Sequence, residues 1–366
     1  MPGPFRSNIA ALTPYVPGEQ PREDGFIKLN TNENPYPPSP RVRAAVKKAA
    51  DQSLRLYPEP LCDTLRATAA AVYGLRPENI LVGNGSDELL SILMRSFVGP
   101  GDRVAFPVPT YSLYDTLVAI QEGESVTVEY PDDYALPGGL SSAGAALTFV
   151  CNPNSPSGTL VAVTEIERLA RAVSGVLAVD EAYIDFAETE AASALPLVRR
   201  LPNLVVLRTF SKSFSLAGAR VGLAFACEEL INGMLKVKDS YNVNRLSVAA
   251  ARAALEDLPW MERNVRRIQK SRKALTAGLE QLGYQVYPSH ANFVLARKAG
   301  HDLASVYERL KAGKILVRYF NAPRLKECLR ITVGTAEEIK ILLRRLETLE
   351  LKPLEGELRA EERAQS

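Results

Sequence analysis

The chain has 366 residues, of which 46% are hydrophobic and 23% charged, so it is large enough for more than one hydrophobic core. Lys and Arg number 44 against 42 Asp and Glu, which leaves a formal net charge of only +2. A chain with this balance has no overall positive field to hold a polyanion, and we expect no nucleic-acid partner.

Histidine and cysteine usage narrows the chemistry further. The two histidines are His290 and His301, and the four cysteines lie far apart with no C-x-x-C pair. This spacing supports neither a zinc site nor a disulfide framework, so we expect no metal and a reducing, cytoplasmic setting. The chemistry should therefore depend on Lys, Asp, Tyr and Arg, or on a bound organic cofactor.

Membrane signals are also missing from the sequence. The first 25 residues contain no apolar run of signal-peptide length, and no apolar stretch elsewhere approaches the ~20 residues of a membrane helix. We expect a soluble protein with no membrane partner.

The predicted elements begin after an arm, residues 1–40, in which repeated prolines forbid a long helix. Helical periodicity starts at Pro40, and from about residue 60 helical segments alternate with short apolar runs. The runs that we predict as strands are 80–82, 103–106, 125–130, 146–151, 176–179, 204–207 and 221–226. Continuous apolar runs are typical of strands buried on both faces, so residues 41–250 predict an α/β large domain with a mostly parallel sheet covered by helices.

The pattern changes beyond Ser247. A long charged helix, two strands and two further helices are predicted, at 259–282, 293–297, 329–333, 303–311 and 337–349. This mixture predicts a smaller α+β domain over residues 251–352, which we expect the arm to join, and a flexible tail at 353–366.

Two loops that follow predicted strands carry glycine and small polar residues. Residues 82–90 contain Gly83, Gly85 and Ser86 before a helix, which suits a phosphate at the helix N-terminus or an ordinary turn with Ser86 as N-cap. Residues 152–158, Asn-Pro-Asn-Ser-Pro-Ser-Gly, suit either a binding loop or a structural turn.

Two further strand ends carry charged groups. Asp180 directly follows a buried strand, where a carboxylate needs hydrogen-bond donors or a cation, or else caps a helix. Lys212 lies among hydroxyls and aromatics after another strand, unlike surface lysines such as Lys47. A desolvated lysine loses its proton more readily, and the neutral amine can form a Schiff base with an aldehyde.

Together these groups are what pyridoxal phosphate needs, and the sequence resembles the fold-type I aminotransferases, in particular the histidinol-phosphate aminotransferase family. The motifs that carry the likeness are 29–35 (LNTNENP), 57–58 (YP), 83–88 (GNGSDE), 109–111 (PTY), 152–158 (NPNSPSG), 180–183 (DEAY), 211–212 (SK), 218–222 (GARVG) and 329–334 (LRITVG). The resemblance extends from about residue 12 to residue 350, nearly the whole chain.

The resemblance implies roles for the cofactor-binding residues. Lys212 would hold pyridoxal 5'-phosphate covalently and then move a proton, Asp180 would keep the pyridine nitrogen protonated, and Tyr183 would donate to the ring oxygen. Tyr111 would stack on the ring. The residues implied for the phosphate are Ser86, Asp87, Thr209, Ser211 and Arg220.

The chain departs from the family pattern at Ser155, where the family usually has an Asn that bonds the ring oxygen. Either Ser155 makes a weaker bond, or the bond falls to Tyr183 with Asn152 or Asn154 helping.

The resemblance also implies the substrates. Arg330 would receive the carboxylate of glutamate or the phosphate of histidinol phosphate, a bidentate fit that Lys would not reproduce, and Arg318 would assist with the phosphate. Further substrate-pocket residues are Tyr15, Asn32 and Asn292, although a strand-end turn explains Asn292 equally well. Tyr57, implied as a cofactor contact, would reach in from the neighbouring subunit of a homodimer.

The expected reaction converts L-histidinol phosphate and 2-oxoglutarate to imidazole-acetol phosphate and L-glutamate, in histidine biosynthesis. An aromatic amino acid aminotransferase and a lyase similar to threonine-phosphate decarboxylase are the alternatives.

Overall fold

A computed structural model describes residues 4–15 and 17–349; the tail predicted at 353–366 lies outside the described residues. The helices are α1 (Ser7–Ala11), α2 (Pro40–Ala49), α3 (Asp63–Tyr73), α4 (Ser86–Phe97), α5 (Leu113–Ile120), α6 (Val163–Ala172), α7 (Glu228–Leu235), α8 (Arg245–Leu255), α9 (Leu258–Gln281), α10 (Leu303–Ala312) and α11 (Ala336–Glu347). The strands are β1 (Ile27–Lys28), β2 (Ile80–Gly83), β3 (Arg103–Val108), β4 (Glu124–Glu129), β5 (Leu147–Cys151), β6 (Val176–Asp180), β7 (Leu204–Thr209), β8 (Gly222–Phe225), β9 (Gln285–Val286), β10 (Phe293–Arg297), β11 (Ile315–Leu316), β12 (Arg318–Tyr319) and β13 (Cys328–Thr332).

The main sheet has seven strands in the order β2-β8-β7-β6-β5-β3-β4. Strands β3 to β7 pair in parallel, whereas β8 is antiparallel to both of its neighbours. The predicted α/β class with a mostly parallel sheet is therefore confirmed. The carboxyl ends of the parallel strands meet at one edge, where open α/β sheets bind ligands.

Burial on both faces explains the continuous apolar runs. In β6, Leu177 and Val179 belong to the core on one side of the sheet, while Val176 and Ala178 belong to the core on the other. Successive side chains of a strand point to opposite faces, so a strand covered on both faces needs apolar residues at every position.

A second, antiparallel sheet has the order β12-β13-β10-β9 and packs with α9, α10 and α11 around its own core. The arm joins this part of the molecule because β1 pairs in parallel with β11, with Ile27 opposite Ile315. At its other end the arm packs on α5, where Asn8 Nδ2 donates to the carbonyl of Ala119 at 3.0 Å. The domain limits stay a prediction, and the limit predicted at residue 250 falls within α8 (Arg245–Leu255).

Candidate active site

A cavity of about 750 Å³ lies at the carboxyl ends of the parallel strands, between the main sheet, the arm and the second sheet. The fold brings most of the predicted site residues to its wall: Tyr15, Asn32, Ser86, Asp87, Tyr111, Ser155, Asp180, Tyr183, Thr209, Ser211, Lys212, Arg220, Arg318 and Arg330. Residues that are up to 315 positions apart in the sequence thus share one cavity.

Lys212 follows β7 and extends its amine into the cavity. Nζ donates to the carbonyl of Thr31 at 3.2 Å. Burial lowers the pKa of this amine to about 8, and the positive charge of Arg330 adds to the effect. About a tenth of Lys212 is therefore neutral and nucleophilic at pH 7, far more than of an ordinary lysine. Asn34, which was not predicted as a site residue, supports the loop by donating to the carbonyls of Lys212 and Ser213, each at 3.1 Å.

Asp180 is the last residue of β6 and is 4% exposed. Its carboxylate accepts hydrogen bonds from the hydroxyl of Tyr114 at 3.0 Å and from the N–H of Ala182 at 3.1 Å. It forms no ion pair with any described residue, and burial raises its pKa to about 6. Because a buried carboxylate without an ion pair is costly, Asp180 favours a protonated or cationic partner.

Tyr114 was not predicted, although a weak signal existed. It lies three positions after Tyr111, at the start of α5, and the two rings meet edge-on at 5.6 Å. The ring of Tyr114 stacks on Phe149 at 4.6 Å, which fixes its hydroxyl beside Asp180.

The wall of the cavity at the start of α4 is suited to binding an anion. Gly85 has a φ of +86° and stands at the N-cap of α4, so the alternative in which Ser86 is the N-cap is wrong. A Cβ added to Gly222 would lie 2.8 Å from the backbone nitrogen of Ser86, so only glycine permits this close approach. The free N–H groups at the start of α4 are thereby held at the cavity wall.

Arg220 completes this side. Its guanidinium pairs with Asp87 at 3.0 Å and donates to Ser211 Oγ at 3.3 Å. Thr209 Oγ1 donates to the same Ser211 oxygen at 3.0 Å. Backbone N–H groups, two hydroxyls and a guanidinium therefore converge, as binding of a phosphate requires.

Tyr183 lies between the two sheets, with its hydroxyl accepting from Asn32 Nδ2 at 3.0 Å. Burial raises the pKa of Tyr183 to about 12, so the phenol keeps its proton and can donate it to an acceptor in the cavity. The backbone N–H of Asn32 donates in turn to Thr332 Oγ1 at 3.0 Å, which holds Asn32 in place. Asn292 does not line the cavity; it is buried behind Asn32 and donates to the Asn32 carbonyl at 2.9 Å.

Two arginines from the second sheet form the positive end of the cavity. The guanidinium of Arg318 lies 5.2 Å from the ring centre of Phe320, and that of Arg330 lies 5.4 Å from the same ring. Arg330 also stacks on Phe293 at 5.3 Å and forms no ion pair with any described residue. Phe320 was missed because nothing in its sequence neighbourhood distinguishes it from a core residue.

Tyrosines occupy the remaining wall. Tyr111 donates to Asp87 Oδ1 at 3.2 Å, and its ring meets the ring of Tyr15 edge-on at 6.0 Å. Tyr57 does not line the cavity of its own chain: it is 78% exposed and stacks on Tyr241 at 4.6 Å.

An arginine with two carboxylate partners supports the Lys212 loop on the side away from the cavity. Arg208 in β7 contacts Glu181 and Asp185, each at 2.8 Å, and Ser213 donates to Asp185. These residues were not predicted as a group, although the pairing of β6 with β7 brings them together.

Comparison with known proteins decides the family. The model of the family described as aminotransferase class I and II matches residues 24–346. The chain belongs to this family. As an aminotransferase of this family it is 46% identical over 347 residues to histidinol-phosphate aminotransferase 1 of Trichormus variabilis, covering 94% of this chain and 98% of the relative. It is 47% identical over 346 residues to histidinol-phosphate aminotransferase of Citrifermentans bemidjiense, with the same two coverages.

Solved structures agree with this assignment. Histidinol-phosphate aminotransferase from Sinorhizobium meliloti, in complex with pyridoxal-5'-phosphate, superposes with a TM-score of 0.87 at 28% identity, covering 95% of this chain and 98% of that one. The predicted membership of the aminotransferases is thus confirmed. None of the helices in residues 4–15 and 17–349 is long and apolar enough to cross a membrane.

Proposed function

We propose that this aminotransferase transfers the amino group of L-histidinol phosphate to 2-oxoglutarate, forming imidazole-acetol phosphate and L-glutamate, with pyridoxal 5'-phosphate as cofactor. The observation that carries the proposal is the pair Arg318 and Arg330, which share the ring of Phe320 at one end of the cavity that holds Lys212. The relatives and the structure of the cofactor complex support it.

The residues present fit this cofactor. The N-terminus of α4 with Arg220 suits its phosphate, and Asp180, which lacks a cation among the described residues, suits a protonated pyridine nitrogen. When bound, the cofactor supplies an aldehyde that accepts the substrate's amine and a ring that withdraws electrons from the substrate's Cα.

The chain's own residues supply binding and proton transfer. Lys212 would bond the cofactor and, once released, its neutral Nζ would accept the proton from the substrate's Cα, as the lowered pKa allows. Asp180, as a carboxylate, would hold a proton on the pyridine nitrogen, and the Tyr183 hydroxyl would donate to the ring oxygen. The rings of Tyr111 and Tyr183 line the cavity beside these atoms.

Arg330 suits the anionic group that the two substrates present in turn. Glutamate offers a carboxylate, whereas histidinol phosphate has no carboxylate and offers a phosphate, which carries more charge. A second guanidinium, Arg318, is therefore an asset for the phosphate in particular. The hydroxyl of Tyr15, at the same end of the cavity, can donate to the same group.

A substrate comparison tests the reaction. We expect kcat/KM for L-histidinol phosphate with 2-oxoglutarate to exceed the value for L-phenylalanine; a higher value for phenylalanine would overturn the proposal. Glutamate formation that requires 2-oxoglutarate is the expected result, whereas CO₂ release from L-threonine phosphate, which carries a carboxylate, in the absence of 2-oxoglutarate would indicate a lyase.

A covalent-trapping experiment tests the role of Lys212. Borohydride reduction of the yellow protein should leave the cofactor on Lys212, as located by mass spectrometry of peptides. The Lys212→Ala variant should bind the cofactor without forming the reducible adduct. Lys236→Ala, which changes an ordinary lysine, serves as control. An adduct in Lys212→Ala would assign the cofactor to another lysine.

We also infer a homodimer in the cytoplasm, with Tyr57 reaching the partner's cavity. Support comes from an exposed apolar patch that comprises Leu54, Leu56 and Tyr57, at 54%, 51% and 78% exposure. Sedimentation should give twice the mass of one chain, and Leu56→Asp should lower that mass; a wild-type chain that sediments as a monomer at micromolar concentration would contradict the inference.

A further inference from the structure

The loop at 152–158 contains two asparagines whose side chains are already engaged within the protein. Asn152 is fully buried and exchanges two hydrogen bonds with the backbone of Val161, at 3.1 and 2.8 Å. Asn154 donates to the carbonyl of Pro109 at 3.2 Å and to Ser157 at 2.9 Å. Its amide oxygen accepts from Thr110 at 2.8 Å. Both amides therefore serve to shape the loop.

Ser155, the third polar side chain of the loop, faces Arg330. Its hydroxyl oxygen accepts a hydrogen bond from Arg330 Nη1 at 3.2 Å, and the residue is only 5% exposed. Arg330 Nη2 donates to the carbonyl of Asn30 at 3.0 Å. Acceptors from the loop after β5 and from the arm thus hold the two ends of one guanidinium, which restricts its rotation.

Tyr183 is free to serve the ring oxygen without help from this loop. Its hydroxyl oxygen accepts from Asn32, so its proton remains available to an acceptor in the cavity. Asn32 in turn accepts from Thr332 Oγ1 at 3.1 Å, which fixes the direction of its amide. The donor is therefore positioned from the arm and β13, independently of Ser155.

We propose that Ser155 is a positioning residue for Arg330, orienting the guanidinium that receives the substrate's anionic group, while Tyr183, held by Asn32, is the donor to the cofactor's ring oxygen. The proposal rests on the proposed function and assigns different roles to Ser155 and Tyr183 within the same site. Because Arg330 serves both substrates, Ser155 influences both halves of the reaction. Arg330 keeps Asn30, Phe293 and Phe320 without it, so the effect of losing the hydroxyl is moderate.

A pH titration of the visible absorbance of the bound cofactor separates the two roles without turnover. A donor to the ring oxygen stabilises its anionic form, so Tyr183→Phe should raise the midpoint by about one pH unit, the equivalent of one net hydrogen bond. Ser155→Ala should leave the midpoint within about 0.2 pH unit of the wild type. A rise in Ser155→Ala comparable to that in Tyr183→Phe would overturn the proposal.

Binding of 2-oxoglutarate to the pyridoxal form, which has no amino group to give it, tests the positioning of Arg330. The dissociation constant should rise about 3- to 10-fold in Ser155→Ala, a fraction of a full charge-assisted hydrogen bond. Ser155→Thr keeps the hydroxyl and should recover most of the affinity. Unchanged affinity in Ser155→Ala would refute the positioning role.

Failure of the proposed function itself would look different. In that case the wild-type protein would bind no cofactor with visible absorbance, or would bind it and not respond to 2-oxoglutarate. Failure of the Ser155 proposal leaves both of these wild-type properties intact and changes only the comparison among the variants.

Discussion

Asp180 should make the cofactor-free protein lose stability as the pH rises, and Asp180→Asn should remove that loss. Burial raises the pKa of this carboxyl from 3.8 to about 6. The folded state then binds the proton more tightly than the unfolded state, so the free energy of unfolding falls with pH through this range. Full ionisation destabilises the fold by about 3 kcal/mol, of which about 2 kcal/mol falls between roughly pH 4.5 and 7.5.

Asparagine has nearly the same shape, and its carbonyl oxygen can accept from Tyr114 and Ala182 as the carboxylate does. Urea unfolding of both cofactor-free proteins should show the wild-type free energy falling by about 2 kcal/mol relative to Asp180→Asn between roughly pH 4.5 and 7.5. A difference that stays constant, or that grows in favour of the wild type, would refute the reasoning.

Two controls sharpen this experiment. Tyr114→Phe removes the hydroxyl that stabilises the ionised carboxylate, so its pH-dependent loss should be larger than that of the wild type. Saturating pyridoxal phosphate should reduce the loss in the wild type, because a protonated pyridine nitrogen favours the carboxylate form of Asp180. In Asp180→Asn, pyridoxal phosphate should not change the pH dependence of the free energy of unfolding in this way.

Three further substitutions test the supports of the site. Arg208→Met leaves Glu181 buried without its cation and should lower the free energy of unfolding by about 3–5 kcal/mol in urea; a loss below about 1 kcal/mol would contradict a structural role. Arg330→Lys keeps the charge but not the bidentate fit, so KM for glutamate should rise about 10-fold or more, and an unchanged KM would contradict the assignment. Arg318→Ala should lower the steady-state kcat/KM for histidinol phosphate more than that for glutamate, and equal losses would contradict a specific role of Arg318 toward the phosphate.

Much of the main sheet could be predicted because its strands are short, continuous and apolar. The run predicted at 146–151 is observed as β5 (Leu147–Cys151), and that at 176–179 as β6 (Val176–Asp180). A strand that must bury both faces has little freedom in sequence, so the pattern is specific. The antiparallel direction of β8 has no such signature, since an apolar run reads the same in either direction.

The site could be predicted in part for the same reason. Lys212 and Asp180 stand directly after buried strands, and parallel strands bring their carboxyl ends to one edge. The supports that hold them come from elsewhere in the chain: Asn34 holds the Lys212 loop from the arm, and Tyr114 bonds Asp180 from α5. Such contacts depend on how helices and loops pack over the sheet, which local pattern does not encode.

By itself, the sequence determined the kinds of group at the strand ends, their order along the chain and the family to which they belong. The tertiary structure decided which atoms meet: it turned Ser155 toward Arg330, set Phe320 beside two guanidiniums and left Tyr57 outside its own cavity. It also shifted the pKa values of Lys212 and Asp180, because desolvation depends on everything packed around a group and not on its neighbours in sequence.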